Sequence, residues 1–272
     1  MDLAKYGPWA LVVGGSEGVG AEMARQLAAD GFKLVLTARK LEPLEGLKAE
    51  LEAGGAEVRI VSADLKQRDV LSQVRKATDD IEVGLLAFIA GANDTRGQFV
   101  DLPAEVTDGV IAINVHGHAD FSRHYGQMMC ARGRGGIILT GSTGGYLGSP
   151  TLATYCAVKA FARVFAEALW AECKPMGVDV LHLNIGFTAT PAMARLGMPI
   201  EFAEKCDVVA RQGLERIADG PVWIVDTPGN VERARLISEF DDRGGLVLAH
   251  AIKPRDQTAD DAMKQRELAG SD

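Results

Sequence analysis

The chain has 272 residues, 47% hydrophobic and 24% charged, with 31 Gly and 10 Pro, a globular composition that excludes disordered, collagenous and disulfide-dense classes. Its net charge of −8 repels phosphate backbones, so the expected partner is a small molecule and not nucleic acid. Cys130, Cys156, Cys173 and Cys206 lie far apart with no C-x-x-C pair, which suggests neither a zinc site nor a disulfide framework and reads as reduced thiols in a cytoplasmic protein.

The first apolar run, Trp9–Val13, is five residues long and has no basic region leading into a longer hydrophobic core, so it reads as a strand and not as a signal peptide. Short runs rich in Val, Ile and Leu then alternate with longer amphipathic stretches as far as residue 225. The expected strands are Trp9–Val13, 33–37, Val58–Ser62, 84–89, 136–140, 178–183 and 222–225; the expected helices are 19–29, Leu41–Ala53, 67–77, 110–131, 154–174 and 201–217. Most strand runs are apolar throughout, as in a parallel sheet covered on both faces. The fold class expected is therefore α/β, a doubly wound, Rossmann-like parallel sheet of about seven strands. No apolar stretch approaches the roughly 20 residues of a membrane span, so no membrane partner is expected. Beyond residue 225 the pattern breaks at Pro228 and Gly229. Residues 231–240 read as a helix, 244–252 as a short strand or packed arm, and 253–272 as a mobile polar tail. A single domain over 1–252 is expected.

Gly14, Gly18 and Gly20 follow the first strand and open the first long helix. Glycines there let the backbone turn sharply and approach a pyrophosphate, whose charge then meets the free amides and positive dipole end of the helix. The alternative is a tight turn that binds nothing. At the end of the second strand the chain reads Thr37, Ala38, Arg39, Lys40, with no carboxylate to bind ribose hydroxyls or repel a 2′-phosphate. Arg39 can stack on adenine and pair with that phosphate, which favours NADP(H) over NAD(H). Against this stand Glu17 in the glycine loop and the reading of Arg39 and Lys40 as a solvated basic pair.

Tyr155 and Lys159 stand four apart in a helical segment and so share one face. Using a tyrosine of pKa near 10 at neutral pH requires a shift of about three units, roughly 4 kcal/mol, which a nearby ammonium and an oxidised nicotinamide together can supply. Ser142 lies thirteen residues before Tyr155, just past the fifth strand, at the sheet edge where ligands bind.

With glycine spacing G-x-x-x-G-x-G, then Ser142 and Tyr155-x-x-x-Lys159 in that order, the chain resembles the short-chain dehydrogenase/reductase family over about residues 8 to 225. The resemblance implies hydride transfer between a nicotinamide and a ketone or secondary alcohol. It makes Tyr155 the general acid or base, Ser142 the hydrogen-bonding partner of the reacting oxygen, and Lys159 the residue that holds the ribose and lowers the tyrosine pKa. Asn114 matches the helix asparagine that holds a relay water; the alternative is an asparagine bonded to its own helix. Asp64 matches an adenine-contacting aspartate, or else caps the next helix. The cofactor cradle implied is Gly14, Ser16, Gly18, Val19, Gly20, Arg39, Lys40, Asp64, Leu65, Ala90, Gly91, Tyr155, Lys159, Gly186, Thr188 and Thr190. The chain departs from the family pattern at Phe88 and Ile89, where Asn-Asn is usual, at Ile185 in place of proline, and at Val13 in place of threonine.

Ala157, Phe161, Val164, Phe165, Ala168, Leu169 and Trp170 make the helix 154–174 apolar nearly all round, which implies a second contact, with another subunit or with the chain's own C-terminal arm. The family resemblance implies a homodimer or homotetramer through this helix and the one before it. Met193, Leu196, Met198 and Ile200 give 188–202 the composition of a lid over an apolar site, with Tyr146, Leu147 and Phe187 near it. A bulky apolar ketone or alcohol, steroid-like or fatty-chain, is the substrate expected. The alternatives are a 3-oxoacyl reductase of lipid synthesis and a non-catalytic NADPH-binding sensor. His116 and His118, two apart on a helix, face different ways, and no metal is assigned.

Overall fold

The computed structural model describes residues 1–91, 96–198, 200–225, 229–239, 243 and 247. In chain order the elements are α1 (Leu3–Tyr6), β1 (Trp9–Val13), α2 (Gly18–Ala29), β2 (Lys33–Ala38), α3 (Leu41–Ala53), β3 (Val58–Ser62), α4 (Val70–Arg75), β4 (Val83–Phe88) and α5 (Ala104–Ile111). They continue with α6 (Gly117–Arg132), β5 (Gly135–Ser142), α7 (Ala153–Cys173), β6 (Val178–Ile185), α8 (Pro191–Arg195), α9 (Cys206–Glu215), β7 (Val222–Ile224) and α10 (Asn230–Glu239).

All seven strands run parallel in the order β3-β2-β1-β4-β5-β6-β7. Every residue of β1 and β4 is buried, which is why these runs lack polar alternation. One core packs Val12, Leu36 and Leu181 against Met23, Leu27 and Val209 of α2 and α9. The other packs Leu11, Phe88 and Leu139 against Phe121 and Met129 of α6 and Ala166 of α7. The strand order reverses between β1 and β4, and a crevice at the carboxyl ends of strands beside such a reversal is where ligands bind.

Three helix expectations are corrected. Expected helix 201–217 contracts to α9, because the backbone before it pairs instead with 187–189: Glu204 N–H bonds the Phe187 carbonyl and Ala189 N–H the Glu204 carbonyl, both at 2.8 Å. Expected helix 110–131 begins earlier, at Ala104, and is interrupted by a π turn over Ala112–His116 in which Gly117 N–H reaches the Ala112 carbonyl. The Asn114 side chain takes the Val110 carbonyl at 3.0 Å, competing with the α-helical ladder. Expected helix 67–77 shortens to α4, its start consumed by a turn closed by Gln67 N–H on the Asp64 carbonyl. Apart from Val247, which packs with Tyr146, Leu147 and Ile237, the arm 244–252 lies outside the described residues, as does the tail 253–272.

Candidate active site

The glycine loop is held by backbone alone. Gly14 and Gly15 donate to the Thr37 carbonyl at 2.8 and 3.2 Å, so the turn forms without the hydroxyl that Val13 lacks. A Cβ on Gly14 would lie 2.7 Å from Ala90 N, and one on Gly20 would lie 2.1 Å from the Gly14 oxygen, so only glycine allows this packing. Ile89 and Ala90 both donate to the Val13 carbonyl, at 2.8 and 2.9 Å. The 88–91 segment thus lies against the glycine loop without the usual asparagines. α2 starts at Gly18 with no side-chain N-cap bond, which leaves its first amides available to an anion. Ser16 is half-buried in the loop, whereas the Val19 side chain belongs to the core and only its backbone can serve a ligand.

At one end of this crevice Arg39 and Lys40 are exposed after β2. Asp64 Oδ1 accepts from Lys66 N–H at 3.0 Å; this closes a local turn and does not cap α4, whose N-cap position is Asp69. Leu65 packs against the second core. Glu17, which counted against the NADP(H) expectation, is gripped at both carboxylate oxygens by Arg195 of α8, at 2.9 and 2.5 Å. That bond holds its pKa below the usual carboxylate range, with Lys40 and Arg39 adding to the effect.

At the other end, the turn after β5 seats Ser142 on α7. A Cβ on Gly145 would meet the Lys159 backbone at 2.7 Å, and one on Gly144 would meet the Tyr155 ring at 3.3 Å. Ser142 Oγ accepts from Gly144 N–H at 3.1 Å, and the same Gly144 Cβ would stand 3.5 Å from that oxygen, so Ser142 and Tyr155 converge on this turn. Lys159 Nζ lies 5.7 Å from the Tyr155 ring centre and donates to the Thr140 carbonyl at 3.3 Å. Burial pushes the lysine down to about 8. Burial raises the Tyr155 phenol above its ordinary value, and the neighbouring Ser142 hydroxyl opposes that rise.

Asn114 is 1% exposed. Its amide nitrogen is bonded to its own helix, and its Oδ1 has no partner. A Cβ on Gly91 would stand 2.5 Å from that oxygen and 2.7 Å from Lys159 Nζ, so Gly91, Asn114 and Lys159 converge. An orphaned buried acceptor beside a buried ammonium suits a bound water. Thr188, buried, donates to the Gly186 carbonyl at 3.2 Å; Thr190 caps α8 by accepting from Met193 N–H at 3.2 Å and lies against Gly18.

Sequence reasoning missed His182. It lies fully buried against Gly141 on the Lys159 side, with both ring nitrogens unpartnered like those of buried His118. Burial first, then Lys159, holds both imidazoles neutral, His182 at about 3. Beside Tyr155 lies a narrow crevice of about 10 Å³, where the apolar side chains of Phe99, Leu102, Val106, Val110 and Leu152 meet Thr107, Thr151 and Thr154.

A glycine loop at the reversal point of a parallel sheet, facing a Ser142, Tyr155 and Lys159 face, defines a nicotinamide-dependent oxidoreductase of the α/β class. A sequence model described as short chain dehydrogenase matches residues 8–199. The chain belongs to that family, whose members bind NAD(P)(H) and act on CH–OH and C=O groups. It is 34% identical over 190 residues, 70% of this chain and 72% of the relative, to a 7beta-hydroxysteroid dehydrogenase of Collinsella aerofaciens. A very-long-chain 3-oxoacyl-CoA reductase of Pyricularia oryzae is 32% identical over 224 residues, 79% of this chain and 67% of the relative. Among solved structures, one concerned with 7beta-hydroxysteroid dehydrogenase stereoselectivity superposes with a TM-score of 0.85 at 27% identity, covering 91% of this chain and 98% of that one. A short-chain dehydrogenase from Sphingobium yanoikuyae in complex with NADPH gives 0.76 at 28% identity, covering 93% and 99%. Among the described residues no helix is long and apolar enough to cross a membrane.

Proposed function

We propose that the protein interconverts a bulky apolar ketone and its secondary alcohol with NADP(H). The observation that carries this is the convergence of Ser142, Tyr155 and buried Lys159: a Cβ on Gly144 would stand 3.3 Å from the Tyr155 ring and 3.5 Å from Ser142 Oγ, Lys159 Nζ lies 5.7 Å from the ring centre, and the apolar side chains of Phe99, Leu102, Val106, Val110 and Leu152 lie beside Tyr155. The residues fit the cofactor. The cradle at Gly14 and Gly20 admits no side chain, and no acid stands at Arg39 and Lys40. In this reading the amides of Gly14, Ser16, Gly18, Val19 and Gly20 hold the pyrophosphate, and Arg39 and Lys40 hold the 2′-phosphate. Asp64 and Leu65 border the adenine. Ala90, Gly91, Gly186, Thr188 and Thr190, with Tyr155 and Lys159, border the nicotinamide ribose and ring. When bound, the nicotinamide supplies or accepts the hydride.

The chain's own residues manage the proton. In reduction Ser142 hydrogen-bonds the substrate carbonyl oxygen, and Tyr155 gives that oxygen its phenol proton as negative charge develops there. The Lys159 ammonium stabilises the resulting phenolate. Asn114 Oδ1 holds a water from which the proton is replaced. Relatives named for a hydroxysteroid and for a very-long-chain 3-oxoacyl thioester support a large apolar substrate, and the second of them keeps the 3-oxoacyl reductase reading in view. Exposed Ala157, Val164 and Ala168 along α7 support a subunit contact through that helix. Four free cysteines support a reducing, cytoplasmic location.

The test is NADPH consumption by wild type and Tyr155→Phe against steroid ketones and long-chain 3-oxoacyl thioesters, with NADH in parallel. Steroid turnover abolished in the variant, with NADPH binding retained, supports the reading; turnover of thioesters alone moves it to the 3-oxoacyl reductase. NADPH binding without turnover of any ketone, or of any alcohol with NADP, identifies a sensor.

A further inference from the structure

Glu17 occupies the glycine loop immediately before Gly18, and Lys40 and Arg39 are close enough to depress its pKa. A carboxylate there is within electrostatic reach of the same cations that are proposed to hold a 2′-phosphate, so it weakens their attraction for that phosphate and repels it. The fold brings a counter-charge from 178 residues away: Arg195 grips both carboxylate oxygens, at 2.9 and 2.5 Å. The approach is built by packing. Thr190, the N-cap of α8, would touch a Cβ on Gly18 at 3.2 Å, and Pro191 would touch it at 3.7 Å, so α8 lies against the start of α2 and places Arg195 over the loop. A bidentate guanidinium neutralises a carboxylate more completely than a point charge does.

We propose that Arg195 is a cofactor-specificity residue: by neutralising Glu17 it leaves Arg39 and Lys40 free for the 2′-phosphate, so NADP(H) preference depends on a side chain from the segment after β6. The inference rests on the NADP(H) reading. It differs from a simple closing contact, which would favour both cofactors alike, because repulsion of the pyrophosphate is common to NADPH and NADH, whereas only NADPH carries the additional 2′-phosphate for which Glu17 competes at Arg39 and Lys40. Arg195 is 57% and Glu17 40% exposed, so the pair adds little to stability and its variants are expected to fold.

The test is titration of the substrate-free protein with NADPH and with NADH, read by nicotinamide fluorescence at low salt. Wild type, Arg195→Ala, Arg195→Lys, Glu17→Gln and the double variant Glu17→Gln with Arg195→Ala are compared, with Arg39→Asp as reference and thermal melts as the folding control. The expected result is that Arg195→Ala weakens NADPH about tenfold and NADH less than about twofold, and that Arg195→Lys keeps most of the preference. Adding Glu17→Gln to Arg195→Ala returns NADPH affinity to within about threefold of wild type. Equal weakening of both cofactors, or no rescue by Glu17→Gln, overturns the proposal while a preference abolished by Arg39→Asp still stands. A wild type that binds NADH more tightly than NADPH, indifferent to Arg39→Asp, overturns the NADP(H) reading and this inference with it.

Discussion

At the Arg39 end of the crevice the charges are wet: Glu17 and Arg195 are 40% and 57% exposed, and Arg39 and Lys40 stand in solvent. At the Tyr155 end Lys159 is 3% exposed, with two neutral buried histidines behind it. Charges in solvent are screened and act additively and weakly, while a desolvated ammonium acts strongly on the next group and costs stability for being there. In the proposed reading the two ends therefore divide the work. The exposed end can choose between cofactors by modest, exchangeable charge differences, and the dry end can hold a tyrosine in the correct protonation state.

Removing groups from the dry end has the largest expected effect. Tyr155→Phe lowers kcat for ketone reduction by about a thousandfold, within the range for loss of a positioned general acid, with the NADPH dissociation constant nearly unchanged. Lys159→Met comes next, lowering kcat about a hundredfold while raising stability. The folded protein holds this lysine at about 8 against an ordinary 10.5, so the buried charge is disfavoured. The penalty is fully present below pH 8 and is relieved as pH climbs toward 10.5. The variant thus gains up to about 3 kcal/mol at pH 7, and the gain shrinks through that alkaline window. Thermal melts at pH 7 and pH 10 check this; a lower midpoint at pH 7 would count against the dry-end account. The same titration appears in catalysis: kcat/KM for reduction falls as pH rises through about 8, because neutral Lys159 no longer favours the phenolate.

Effects at the wet end are smaller and respond to salt. Arg39→Asp shifts the ratio of NADPH to NADH affinity toward NADH by about thirtyfold, since a cation is lost and an anion gained. Raising ionic strength from about 0.05 to 0.5 M weakens NADPH binding several-fold and NADH binding less, measured by fluorescence titration. Salt independence of both would break the contrast between the two ends.

Much of this was legible along the chain because the signals are local. Continuous apolar runs marked the strands, the glycine loop marked the crevice, and Tyr155 with Lys159 needed only the pitch of one helix. Helix ends were read less well at 104–117 and 201–205, where a side chain at Asn114 and a bridge from Thr188 to Glu204 take backbone partners that periodicity does not reveal. The missing asparagines at Phe88 and Ile89 suggested an altered loop, yet backbone bonds to the Val13 carbonyl hold it against the glycine turn. Glu17 read as an objection to NADP(H) because its partner Arg195 lies 178 residues away.

By itself the amino-acid sequence determined the α/β class, the order of elements and the family, and it singled out Ser142, Tyr155 and Lys159 as the proposed catalytic residues, because each depends on short-range spacing or on hydrophobic period. Only the tertiary structure decided how charges meet: that Lys159 is dry, that Asn114 Oδ1 and Gly91 converge on it, that His118 and His182 stand neutral on its side of the sheet, and that Glu17 is answered by Arg195. Desolvation and Coulomb interaction depend on distance through space and on exclusion of water, and neither quantity is carried by separation along the chain.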